Sequence, residues 1–195
     1  MVLIYFLSRI LVLRLNLNGG KYMVECQKCL DPTSLGLFLV AVVSLPLAIY
    51  QLIGEPSGTY VLDSMPDFFK AIGLMIIAVA LLAYRSDSNF GFVVFALVGA
   101  AVAMTGFGMG PWENISFAIV FVLAIFWSIL AKTPKALSLI LVTTALIFLF
   151  VGLSGLESLA ADYWHWLVGI AALFNFLLTV YLAYALALEG KLPVF

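Results

Sequence analysis

From Leu35 onward, long apolar stretches alternate with short polar turns. Six stretches stand out, approximately Leu35–Ile53, Phe69–Tyr84, Phe90–Phe107, Ile115–Ala131, Leu137–Leu153 and Trp166–Leu188. A helix rises 1.5 Å per residue, so crossing about 30 Å of hydrocarbon takes roughly 20 apolar residues. The turns are GEPSG (Gly54–Gly58), YRSDSN (Tyr84–Asn89), GMGPWEN (Gly108–Asn114), KTPK (Lys132–Lys135) and SGLESLAAD (Ser154–Asp162). They gather the Pro, Gly and charged residues that helices and hydrocarbon both reject. Strands of a membrane barrel would be shorter and would alternate in polarity. These stretches are apolar on every side, which predicts six transmembrane helices. The turns between them are too short to hold a soluble domain.

Composition agrees. The chain has 195 residues, 65 % hydrophobic and 10 % charged, against roughly 45–50 % and about 25 % for a soluble domain. One globular core cannot hide that excess. The expected fold is therefore an all-α integral membrane protein, multi-pass in the cell membrane, with the lipid bilayer as its first partner. A formal net charge of −1 argues against a nucleic-acid partner, which needs a clustered basic surface.

Lys and Arg set the orientation. With the N-terminus inside, one side holds Arg9, Arg14, Lys21, Lys28, Arg85, Lys132, Lys135 and Lys191, and the other holds Lys70 alone. Both termini are thus expected in the cytoplasm. The outer loops carry Glu55, Asp63, Asp67, Glu113, Glu157 and Asp162. This mildly negative rim favours a neutral or protonated permeant, although salt screens such loops over about 8–10 Å.

The chain divides into an N-terminal tail, residues 1–29, and a membrane domain, residues 30–195. The opening MVLIYFLSRILVLRLNLNGG is interrupted by Arg9 and Arg14 and shows no small-residue cleavage site. As a helix it is amphipathic and basic, suited to the inner membrane face. The favoured reading is an over-extended start, with Met23 as initiator. CQKC, with Cys26 and Cys29 the chain's two cysteines, is half of a zinc site at most, because a closed site needs about four ligands. The pair reads as thiols in a reducing compartment, and neither metal nor cofactor is expected.

His165, the one histidine, lies in YWHWL at the outer end of the sixth stretch. A pH sensor is conceivable, but an interfacial aromatic belt explains the flanking Trp and Tyr better. The NIS triplet at Asn114–Ser116 matches a glycosylation acceptor, but it sits where the fourth helix enters the membrane. No Ser/His/Asp grouping, phosphate-cradling loop or HExxH is present, which argues against an enzyme. The middles of the spans hold no Asp, Glu, Lys or Arg, the groups that ion-coupled pumps keep as relays. Their polar residues are Ser44, Thr105, Ser128, Thr143, Thr144, Asn175 and Thr179. Gly99, Ala103 and Gly106 form a small-residue face on the third helix, read first as helix packing within one subunit. Pro46 frees a backbone carbonyl in the first helix, so that helix is expected to face the bundle interior or a conduit rather than lipid.

One stretch remains unexplained by lipid alone: an Asp-Pro turn and a Gly introduce the first helix. DPTSLGL (Asp31–Leu37) resembles the N-P-A-P-L-G-L signature of the acetate uptake transporter family, which includes bacterial succinate–acetate permeases and yeast acetate transport proteins. Pro32, Leu35, Gly36 and Leu37 match; Asp31, Thr33 and Ser34 replace Asn, Ala and Pro. YRSDSNFGFVVFALVGAAV (Tyr84–Val102) is similar to the family segment Y-x-x-G-N-T-F-G-x-T-A-F-x-S-Y-G-x-F-W through Tyr84, Phe90, Gly91, Phe95 and Gly99. The segment's polar Thr, Ser and Tyr are Val93, Leu97 and Val98 here, and its last aromatic pair is Ala101 and Val102. AKTPKALSLILVTTALIFLFVG and VYLAY (Val180–Tyr184) look like the fifth and sixth helices of the family. The resemblance spans about residues 30–195.

The resemblance implies a six-helix protomer in a ring-shaped homo-oligomer, usually a hexamer, each protomer with its own narrow path for acetate or a related small carboxylate and a proton. Acid-gated urea channels share that architecture in outline. Together with the polar span residues and the aromatic narrowings, it gives the candidate pore residues Asp31, Pro32, Leu35, Gly36, Leu37, Phe38, Phe90, Gly91, Phe95, Asn175 and Tyr181. Physically, Pro32 suits a first helical turn and Asp31 can cap it. The helix N-terminus would attract a carboxylate, for which an ionised Asp31 competes. The leading expectation is a passive or proton-linked conduit for acetate-like monocarboxylates. The alternatives are a channel for small neutral solutes such as urea, amides or ammonia, and a non-transporting membrane sensor or assembly subunit.

Overall fold

The computed structural model describes residues 32–53, 60–86, 88–156 and 163–188, with the backbone alone for residues 60–64. The N-terminal tail with its CQKC pair, Asp31, and the turn residues Glu55, Glu157, Asp162 and Lys191 lie outside them. Six helices account for nearly all of the described chain: α1 (Thr33–Ile53), α2 (Tyr60–Arg85), α3 (Asn89–Phe107), α4 (Pro111–Leu130), α5 (Lys135–Ser154) and α6 (Tyr163–Ala187). Every one contains a membrane-length apolar segment. The described residues include no strand.

Helix ends follow local chemistry. Pro32 accepts the first helical bond of α1, from the Gly36 N–H at 3.0 Å. Ser88 caps α3 by accepting from the Gly91 N–H, and α3 stops at Gly108, whose φ of 88° is left-handed, a conformation glycine adopts without a Cβ penalty. Two helices begin more than a turn earlier than apolarity indicates. α4 starts at Pro111 rather than Ile115, because Pro at the first position has no N–H to waste and Glu113 complements the helix dipole. α2 starts at Tyr60 and runs through Pro66, since a helix needs internal backbone bonds and not an unbroken apolar run.

In space the helices follow chain order, α1 beside α2, α2 beside α3 and onward, and α6 returns to lie along α1. The closest pairs are α2–α3, α1–α6 and α4–α5; α3 and α4 only graze. Small residues set the α2–α3 approach. A methyl group on Gly73 would fall 2.4 Å from the Ala103 nitrogen, and one on Gly99 would fall 2.9 Å from the Gly73 carbonyl oxygen. The Gly99–Ala103–Gly106 face therefore packs within the subunit. At the α4–α5 turn, Lys132 takes a φ of 52°, and the wholly buried Ser128 hydroxyl pairs with Thr133 (2.5 Å) and Ser138 (2.7 Å).

Charged side chains keep to the helix ends. Arg85, Lys132 and Lys135 mark one end of the bundle, called here the basic end, while Asp67, Lys70 and Glu113 mark the other, the acidic end.

Candidate functional site

Half-way along α6, Asn175 is 1 % exposed and ties three helices together. Its Oδ1 accepts from the Ser44 hydroxyl of α1 at 3.0 Å. Its Nδ2 faces α5 and approaches Thr144 Oγ1 (2.8 Å), Thr143 Oγ1 (2.9 Å) and the Ile140 carbonyl (3.2 Å). That carbonyl can only accept, so the amide nitrogen must point to α5 and the oxygen to α1. The hydroxyls of Ser44 and Thr144 also bond the carbonyls of Val40 and Ile140, one turn back, a local habit of Ser and Thr that makes them tolerable inside helices. Four of the polar residues marked in the spans thus meet in one layer. The others are placed separately. Ser128 belongs to the α4–α5 turn, Thr179 bonds the α6 backbone, and the Thr105 hydroxyl donates to the Ala101 carbonyl.

This layer forms the floor of a cavity of about 350 Å³, within the range of about 300–1,000 Å³ usual for small-molecule sites. From Ser44, Thr144 and Asn175 the cavity extends toward the acidic end. Its walls are Leu47, Phe69, Val98, Val102, Ile147 and Phe148, with Thr105 among them, and its upper rim includes Tyr50, Gln51, Met65 and Asn114. None of the lining residues is charged. α1 contributes six of them, so the helix carrying Pro46 does face the interior. Just above, His165 Nδ1 meets Gln51 Oε1 at 2.8 Å, joining α6 to the rim of the cavity, while Trp164 packs on Phe150 and Tyr163. Asn114 is 4 % exposed, and its Nδ2 donates to the Gly110 carbonyl at 2.8 Å. A buried, bonded amide is no glycosylation acceptor.

Toward the basic end the interior is filled. Leu37, Phe95, Phe121, Leu141 and Leu182 are each at most 2 % exposed. Gly36 exists to receive a ring, since a methyl group there would lie 2.5 Å from Phe95 Cε1. Of the candidate pore residues, Asn175 lines the cavity. Pro32, Gly36, Leu37 and Phe95 are buried nearer the basic end, and Leu35 is half exposed on the outside of α1. Phe38 meets Tyr184 edge-on at 5.2 Å, Phe90 meets Trp127 at 5.0 Å, Gly91 takes part in the α3 cap, and Tyr181 is half-buried. The rim residues Tyr50 and Gln51 carried no sequence signal, and Asn114 drew notice only through its NIS triplet; each sits near a helix end, where polar residues are unremarkable.

Six membrane-length helices arranged around an uncharged cavity define a multi-pass membrane protein. Among solved structures, the fold is that of the bacterial acetate channel SatP, with a TM-score of 0.68 over 85 % of this chain and 98 % of that one, at 18 % sequence identity. Identity at that level speaks for the fold. No protein-family model matches the chain, and no curated protein sequence does.

Proposed function

We propose that the protein is a membrane conduit for acetate or related small monocarboxylates, passive or proton-linked, and that it is not an enzyme. The observation that carries the reading is the uncharged cavity, which ends on the Ser44–Asn175–Thr144 layer inside a fold shared with an acetate channel. The Lys and Arg distribution turns the basic end to the cytoplasm and the cavity to the outside. The packing around Leu37 and Phe95 then separates the cavity from the cytoplasm, and passage requires those side chains to move. By analogy with the family resemblance, protomers associate in a ring, with Asp31, Pro32 and Phe38 beside the cytoplasmic mouth. Labelled acetate entering proteoliposomes faster than empty vesicles, with and without an imposed pH gradient, tests the reading. Equal rates with and without protein would overturn it.

A further inference from the structure

Away from the cavity, the α4–α5 hairpin carries a second hollow. We infer that it binds one anionic phospholipid of the cytoplasmic leaflet, whatever solute the bundle carries. The hollow is a groove of about 260 Å³ between the two helices, lined by apolar residues throughout. Ala118 of α4 and Ala145 of α5 are 4 % and 6 % exposed, whereas Ile119 and Val122 beside them are 58 % and 43 % exposed. Small residues thus recess the floor beneath a raised edge. At mid-span the neighbour of such a surface is hydrocarbon, and an acyl chain has the shape that fills a narrow apolar furrow.

Apolarity alone would accept any lipid; the charge at the same end selects. Lys135 of α5 precedes Val142 by seven positions and Leu149 by fourteen. These spacings are close to whole turns, so Lys135 shares the helix face that lines the groove. Lys132 sits in the turn joining the same two helices. Both lysines are exposed, and neither has a carboxylate partner among the described residues, where the ion pair Asp67–Lys70 lies at the opposite end. Their turn is braced. The Thr133 N–H donates to the Ser128 carbonyl at 3.2 Å, and the Ser128 hydroxyl pairs with Thr133 and Ser138. The backbone beneath both charges is fixed before a ligand arrives, which lowers the cost of binding. Depth matches as well. Helix side chains lean toward the N-terminus, which for Lys135 is the headgroup layer. Seven residues at 1.5 Å put Val142 about 10 Å below Lys135, within a leaflet about 15 Å deep. A lipid whose phosphate meets the lysines therefore lays the lower part of one chain in the groove. The Lys and Arg distribution puts this end at the cytoplasmic leaflet, where basic clusters draw anionic headgroups.

The full-length protein in nanodiscs of equal phosphatidylglycerol and phosphatidylcholine, with identical oleoyl chains, tests the site. One lipid or the other carries a photoactivated diazirine at mid-chain, and the adducts are mapped by mass spectrometry. Phosphatidylglycerol is expected to label residues 118–125 and 142–149 about tenfold more than phosphatidylcholine, each lysine supplying up to roughly five-fold. A diazirine beside the ester should instead mark Ile129 and Leu139, nearer the lysines. Lys132→Gln combined with Lys135→Gln should abolish the preference, while Arg85→Gln, at the same end but on α2, should leave it intact. Ala145→Leu, which fills the floor, should cut mid-chain labelling several-fold with both lysines in place; the two diazirine depths test the groove without any substitution there. Equal labelling by the two lipids, a preference that survives the loss of both lysines, or phosphatidylglycerol adducts spread over all six helices would overturn the inference. So would a disulfide between two copies carrying Ile119→Cys, with Cys26 and Cys29 replaced by Ser, because a second chain would then occupy the groove. None of these outcomes bears on whether acetate crosses, so the site and the conduit stand or fall separately.

Discussion

At the scale of single residues, the amide of Asn175 is the most demanding group in the molecule. It is 1 % exposed at mid-span, yet its neighbours are not helpless without it. Ser44, Thr143 and Thr144 each have a helix carbonyl to bond. Hydrogen bonds between membrane helices average about 0.6 kcal/mol, so Asn175→Ala is expected to cost only about 1–2 kcal/mol, a fall of several degrees in melting temperature. Asn175→Asp should cost more, because an oxygen then faces the Ile140 carbonyl where a donor stood, adding about 1–3 kcal/mol. Thermal unfolding in detergent, followed by tryptophan fluorescence, gives the order; an Asp variant as stable as the Ala variant would mean the amide is oriented otherwise. Asn175 was legible beforehand as a polar residue in an apolar span. Its partners' arrangement was not, because the residues that meet Ser44 lie far along the chain, Asn175 itself 131 positions away.

At the scale of elements, helix pairs are fixed by where backbones touch. Gly73→Ala would drive a methyl group into the Ala103 backbone, and an overpacked contact of this kind costs about 1–3 kcal/mol. Gly36→Ala differs in kind, because its obstacle is the ring of Phe95. Pairing it with Phe95→Leu should recover part of the loss, and a double-mutant cycle on unfolding free energies measures the coupling; strict additivity would show that ring and notch are independent. The Gly99–Ala103–Gly106 face could be read from spacing alone. Gly73 could not, being the one glycine of α2, and it acquires meaning only from the face opposite. The early starts of α2 and α4 escaped an apolarity criterion for a related reason. Pro66, Asp67, Pro111 and Glu113 break a hydrophobic run without breaking a helix.

At the scale of the whole molecule, the six spans and their turns were plain from the chain, because hydrocarbon imposes both length and composition. The cavity was not: its lining comes from all six helices, and no stretch of sequence holds more than a fragment of it. Orientation is a separate question with its own measurement. In a chain with Cys26 and Cys29 replaced by Ser, Glu113→Cys is expected to react with an impermeant maleimide on intact cells, and Lys132→Cys only after permeabilisation; the reverse pattern would invert the topology and turn the cavity to the cytoplasm. The closure of the bundle by its first and last helices also bears on how it is made. α1 leaves the ribosome before the other five helices, yet its main partner is α6, and the hydroxyl of Ser44 meets Asn175 only after that helix has been made. Until then the insertion machinery must shelter an incomplete barrel of helices, and nascent chains stopped before Tyr163 should be surrendered to membrane quality control rather than accumulate.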